Sequence, residues 1–429
     1  MDRLRLIETI SKEVDESRKD CIDFLKEVVS KDSRIFDHGI KGCEDNAQAV
    51  IKQFLVHLGA EIDVFEPDYA LMNSCPEVNP DHDYAGRHDV VGTFRGAGDG
   101  RSLIFNGHID TVDFVDESLW ERGPLNPFER DGKLYGRGSC DMKGGLCASL
   151  LAMKVLRNCN IQLKGDVIYE SVIDEEGGGN GTLACINRGY KADAAIIPEP
   201  SDLWIAPAHM GWLIYRIEVE GIAIHSGAKK DGVNAIEKMV KYIAAMQEAE
   251  RVWSLTRRHP YLPPQHLSIN TICGGTTPTI LPNRCTLEVI VNTLPCDEPG
   301  YRWMGEKFDI EFREMMRRVT VSDPWLEAHP PKITLMQLGS GCDTGLAHPI
   351  CVVLSKTAEE VLGTKPKHKG LISGADGRLL VNYGNTPTVH FGPGSMEVAH
   401  TVNEYLPLDE FLNCIKIFAI TMVDWCGMA

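Results

Sequence analysis

An α/β protein interrupted by an inserted α+β unit is the architecture this sequence predicts, on three observations. As far as residue 208, short apolar runs bounded by turn residues alternate with helical stretches, the pattern of a sheet with crossover helices. Three such runs in succession end in acidic or imidazole side chains. Leu103-Ile104-Phe105 leads to His108, the run 166–173 leads to Asp174-Glu175-Glu176, and Ala194–Ile197 leads to Pro198-Glu199-Pro200. Open α/β sheets bind their ligands at the carboxyl ends of strands. From residue 209 the order changes to strand, helix, strand, strand, helix, strand, that of a ferredoxin-like unit. The expected division is 1–208 with 341–429 as one domain, and 209–340 as a domain inserted into it.

Taken in order, residues 3–30 place Leu6, Ile10, Val14, Ile22, Leu25, Val28 and Val29 at helical spacing. A second helix is predicted over 44–58, with Gly59 as its stop. Residues 61–95 alternate short strands with polar loops; 73–88, rich in Asn, Pro and Asp, is expected to be exposed. The strand 103–109 carries His108, and Asp110 follows it. Asp141 then lies in a glycine-rich turn that opens a helix over about 143–156. In the inserted unit, 212–219 alternates as an amphipathic strand, and a Gly-rich loop carries His225. A helix over 232–250, strands near 266–273 and 284–293, a helix near 300–319 and a strand near 332–338 complete it. Helical spacing resumes over 345–362, 389–391 is a last core strand, and 408–425 closes the chain.

Composition narrows the function. With 43% hydrophobic and 24% charged residues, the chain has the profile of an ordinary soluble globular protein. A net charge of −17 argues against nucleic acid or an anionic membrane surface as the main partner. The amphipathic N-terminus is not a signal peptide, and no apolar run is long enough to span a bilayer. The fourteen cysteines are scattered, with no C-x-x-C pair. They read as free thiols of a cytoplasmic protein.

His108, Asp141, Glu175, Glu176 and Glu199 all fall at strand ends or in glycine turns, and His400 falls in a loop after another strand. Each alone reads as a solvated or strand-end side chain. Together, so many carboxylates repel one another unless cations stand between them. Nitrogen and oxygen donors without thiolate suit zinc, with manganese or cobalt as alternatives. Two divalent cations against Asp141, Glu176 and Glu199 leave one positive charge, which a shared hydroxide neutralises. That leaves Glu175 as a general base. Asp110, two residues beyond His108 in an extended chain, points the same way, and its carboxylate is expected to fix the second ring nitrogen of His108.

The runs NGHIDTV, GRGSCDMKGG, IDEEGGG, PEP and HFGPGSMEVAHTVNEY resemble, in order and across nearly the whole chain, the M20 metallopeptidase family. That family includes acetylornithine deacetylases, succinyl-diaminopimelate desuccinylases, aminoacylases and carboxypeptidases. The resemblance implies a zinc-hydrolase-type mixed sheet flanked by helices, with the insert as a lid and dimerisation domain. It implies two metal ions: His108 and Glu199 on the first, Glu176 and His400 on the second, and Asp141 bridging them. Asp110 resembles the partner of the metal histidine, and Glu175 the base that takes a proton from the catalytic water. A cis peptide after the bridging aspartate would fall at Asp141–Met142. His225 resembles a histidine that stabilises the oxyanion, from its own or a partner subunit. Asn270, Arg284 and Arg378 resemble substrate-binding residues, the last a clamp for a carboxylate. Glu199, where peptidases of free-amino substrates tend to carry Asp, is similar to the deacylases and carboxypeptidases. Asp113 departs from the proline of many members. The activity implied is hydrolysis of small N-acyl amines or N-acyl amino acids by a homodimer. A dipeptidase or glutamate-carboxypeptidase-type enzyme and a non-catalytic binding protein on the same fold are the alternatives.

Overall fold

Six strands form the sheet of the first unit, in the spatial order Thr388–His390, Ala194–Ile197, Leu103–His108, Val167–Val172, Asp89–Phe94 and Glu61–Phe65. The computed structural model describes residues 2–295 and 305–429. The first four strands of the sheet run parallel, and each of the last two is antiparallel to the strand before it. The all-buried run Leu103–His108 lies inside the parallel half; strands covered on both faces need no polar alternation. Successive residues reach opposite faces. Phe105 meets Phe418 of the helix Leu408–Cys426, with ring centroids 5.2 Å apart. Asn106 donates to Glu170 at 2.9 Å and to Thr182, at the start of Asn180–Asn187, at 3.0 Å. Helices thus cover both faces.

Contacts divide the chain into Met1–Ala208, Asp343–Gly370 and Ala375–Ala429 as one unit, and His209–Cys342 with Leu371–Gly374 as the other. The second unit is a four-stranded antiparallel sheet in the order His266–Gly274, Arg284–Thr293, Gly211–Glu220, Lys332–Gly339. Gly211–Glu220 alternates buried and half-buried residues. Its inward Tyr215 stacks on Phe312 of the helix Glu306–Val321 at 4.2 Å. The helix Ala235–Thr256 packs on the same sheet. Of the helix expected near 300–319, residues 300–304 lie outside the described residues.

Two local expectations are corrected. Residues 3–30 form two helices, Arg3–Glu16 and Arg18–Val29. At the break, Ser17 turns its Oγ onto Glu13 O at 2.7 Å, the local bonding by which serine competes with helix continuation. The segment 73–88 is exposed only in part: Asn73, Pro80, Asp81 and Asp83 face solvent as expected, but Cys75, Glu77, Tyr84 and Arg87 are buried in it. Its polar residues have partners inside the protein, which composition cannot disclose. Among the described residues, no helix is long and apolar enough to cross a membrane.

Candidate metal centre

Five chain segments deliver the expected ligands to one place. His108 ends its strand, and its Nε2 lies 3.2 Å from Asp141 Oδ1 and 3.7 Å from Glu199 Oε1. The other oxygen of Asp141 faces the opposite way, 3.3 Å from His400 Nε2. Glu176 Oε1 lies 2.9 Å from the same His400 nitrogen. Glu175 Oε2 stands back, 4.0 Å from His108 Nε2. Ligands about 2.1 Å from a tetrahedral cation lie about 3.4 Å from each other. The observed spacings between donor atoms match that figure, so the donor set fits a pair of cations on either side of Asp141. By proximity alone, His108 groups with Glu175 and Glu199 and also with Asp141 and Glu176. Among the described residues, Asp141 is the carboxylate of this cluster whose two oxygens face two different histidines.

The electrostatics agree. Burial pushes the carboxyls of Glu175 and Glu199 well above the usual range, and neighbouring acids add to it. Burial opposes charge on His108, yet Asp141 and the surrounding carboxylates hold its pKa well above normal. Bonds to Asp141 and Glu176 lift His400 to about 11. Burial would raise Asp141 too, but the two histidines hold it low. Without a cation these groups retain protons to offset one another; metal binding replaces those protons.

The supports are specific. His108 Nδ1 donates to the backbone carbonyl of Asp110 at 2.9 Å, while the Asp110 carboxylate is 3.7 Å away. This corrects the expected partner atom. The carbonyl fixes the tautomer, and the carboxylate accepts the backbone N–H of Glu175 at 3.3 Å and of Glu176 at 3.1 Å. Asp110 therefore ties the histidine strand to the turn bearing Glu175. Asp141–Met142 is a cis peptide. Asp113 accepts from Arg34 at 3.1 Å and from its neighbour Phe114 N at 2.7 Å, which makes it a loop residue.

Arg378 is a correction. Its guanidinium is buried and committed: Nε to Glu77 at 2.9 Å, Nη1 to Ala375 O at 2.9 Å, and Nη2 to Gly178 O at 2.7 Å. The planar fork is spent on the protein's own acceptors, so it is a strut and not a carboxylate clamp. Arg378→Ala is expected to lower unfolding free energy by about 3–5 kcal/mol, because it leaves Glu77 as a buried charge. Denaturant unfolding checks this; a change near zero with a raised KM would restore the clamp.

The remaining expected residues belong to the second unit. His225 precedes the short helix Ser226–Asp231, and its Nδ1 accepts from Gly227 N at 3.1 Å. Asn270 is exposed and accepts from Ser268 Oγ at 2.7 Å. Arg284 is exposed and paired with Glu218.

Sequence reasoning missed Glu404. Buried, it accepts the backbone N–H of Cys140 at 2.8 Å and of Asp141 at 3.1 Å, and pairs with Arg137 at 2.7 Å. It holds the turn that presents the shared carboxylate. Its place within the HTVNEY run was the available signal, but no spacing argument singles it out.

Comparison with known proteins gives a consistent picture. The profile of "Peptidase family M20/M25/M40" matches residues 104–424. The N-formyl-4-amino-5-aminomethyl-2-methylpyrimidine deformylase of Halalkalibacterium halodurans is 31% identical, over 100% of this chain and 99% of that protein. An acetylornithine deacetylase of Myxococcus xanthus is 26% identical, over 79% of this chain and 84% of its own. The Bacillus subtilis YxeP protein, described as a dinuclear metal-binding peptidase, superposes with a TM-score of 0.62 at 15% identity, covering 97% and 100% of the two chains.

Proposed function

Because the chain belongs to peptidase family M20/M25/M40, we propose that it removes a small acyl group, formyl foremost, from a primary amine. It is a metal-dependent amidohydrolase of that family. The observation that carries the two-metal reading is the double-faced Asp141 between His108 and His400. On this reading His108, Asp141 and Glu199 would hold one ion, and Asp141, Glu176 and His400 the other. Zinc is the ion we propose, with cobalt or manganese as substitutes, since imidazole and carboxylate are the only donors. Such a pair supplies Lewis-acid polarisation of the carbonyl and a water of lowered pKa.

The chain's own groups do the rest. Glu175, set back from the ligands, takes a proton from the attacking water. It then delivers that proton to the departing nitrogen as the C–N bond breaks. Water adds across the amide, giving a carboxylic acid and a free amine. By the family resemblance we propose His225, of this or a partner subunit, for the oxyanion, a contact typically worth about 3 kcal/mol. Asn270 and Arg284 are assigned to the substrate. Glu199 in place of Asp supports an acylated nitrogen as the target. The formyl preference rests on full-length similarity to the deformylase.

We also read the chain as cytoplasmic and as a homodimer. The thirteen free cysteines among the described residues support the first. The family resemblance alone supports the second, which sedimentation checks.

The test is a hydrolysis comparison on zinc-, cobalt- and manganese-reconstituted protein. The substrates are the N-formyl aminomethylpyrimidine, N-acetylornithine and a dipeptide. The formyl substrate is expected to give the highest kcat/KM. Fastest cleavage of the dipeptide would make the chain a peptidase; no cleavage by metal-loaded protein would make it a binding protein.

A further inference from the structure

The turn carrying Glu175 and Glu176 is gripped from a second side by the segment 73–88, and its residues explain why the turn is built as Asp174-Glu175-Glu176-Gly177-Gly178-Gly179. Asp174, immediately before the base, adopts a left-handed φ of 65° with its side chain fully buried. One carboxylate oxygen, Oδ2, receives two donors from that segment: Tyr84 OH at 2.6 Å and His82 Nδ1 at 2.9 Å. The tyrosine is itself oriented, since Asn180 Nδ2 donates to its oxygen at 2.7 Å. Farther along the turn, Asn79 Nδ2 donates to Gly178 O at 2.9 Å, and Asn79 N donates to Asn180 Oδ1 at 3.0 Å. The approach leaves no room for side chains. A methyl group built at Gly178 would lie 2.1 Å from Asn79 Nδ2, and one at Gly177 would lie 2.1 Å from Asp174 Oδ1.

These contacts have a common effect. Asp110 holds the backbone N–H groups of Glu175 and Glu176 from the strand side. His82, Tyr84 and Asn79 hold the residues before and after them. Among the described residues none hydrogen-bonds the Glu175 carboxylate, whose nearest charged partner is His108 Nε2 at 4.0 Å, so its position depends on the backbone that carries it. A misplacement of about 1 Å in a catalytic group can cost on the order of 100-fold in rate.

We infer that His82 and Tyr84 are positioning residues for Glu175: through Asp174 they hold the base-bearing turn in register with the bound water and amide. The inference deepens the reading of Glu175 as general base and rests on it. The two donors converge on a single carboxylate oxygen of Asp174. The segment is in turn anchored by the buried pair Arg87–Glu44 at 2.6 Å, and Arg87 also reaches Asp174 Oδ1 at 3.7 Å.

The experiment uses full-length, metal-loaded protein and the N-formyl aminomethylpyrimidine. Tyr84→Phe and His82→Leu are expected to lower kcat roughly 10- to 100-fold, with KM within about twofold and metal content unchanged. His82→Asn, which keeps an N–H near the Nδ1 position, is expected to recover most of the loss. Amide hydrogen exchange over 174–179, which needs no turnover, is expected to quicken at least about tenfold in Tyr84→Phe while the melting temperature holds. Unchanged exchange, or a kcat that falls only as folded or metal-loaded protein falls, overturns the inference. Glu175→Gln runs alongside: if it retains full turnover, the base assignment has failed and not the latch. If it loses turnover while the latch variants do not, the latch has failed.

Discussion

Glu175→Gln is expected to lose roughly 10²- to 10⁴-fold in kcat, the range general acid–base catalysis supplies, while keeping its full complement of metal. The reasoning is geometric. Glu175 is the one carboxylate in the cluster that stands back from both histidines, at 4.0 Å from His108 Nε2. The amide of Gln occupies nearly the same volume and keeps the turn's backbone bonds to Asp110, so the variant isolates proton transfer from folding. Metal analysis and steady-state kinetics on the same preparation check it. Loss of metal in step with activity would mean that Glu175 is a ligand.

Asp141→Ala is expected to remove metal from both sites at once. Even partners one bond removed from a metal typically cost 10- to 100-fold in affinity when lost, and a shared ligand costs more at each of two ions. The variant should retain less than about one ion per chain and under about 1% of the activity. By contrast Glu199→Ala and His400→Ala, on opposite sides of Asp141, should each spare one ion. Equal loss in all three variants would indicate a single mixed site.

Much of this site was legible because strand ends are legible. His108, Glu175, Glu176 and Glu199 follow apolar runs, and burial of those runs in one sheet forces their ends together. Partner atoms were not legible. At two residues' distance in an extended chain, the carbonyl and the carboxylate of Asp110 are both within reach of His108, and only the backbone path decides between them. Arg378 follows the same logic: a motif arginine reads as a ligand clamp until Glu77, 301 positions away, turns out to hold it. The segment 73–88 misled for a related reason. Asn and His usually mark solvent, but here Asn79 and His82 bond to the base-bearing turn, and nothing local records that. The break at Ser17 was hidden because apolar positions on both sides of it keep helical spacing.

Anomalous diffraction from crystals grown with zinc tests the central claim most directly. Two peaks are expected on either side of the Asp141 carboxylate, one among His108, Asp141 and Glu199, the other among Asp141, Glu176 and His400. A single peak, or a pair that does not share Asp141, would contradict the account.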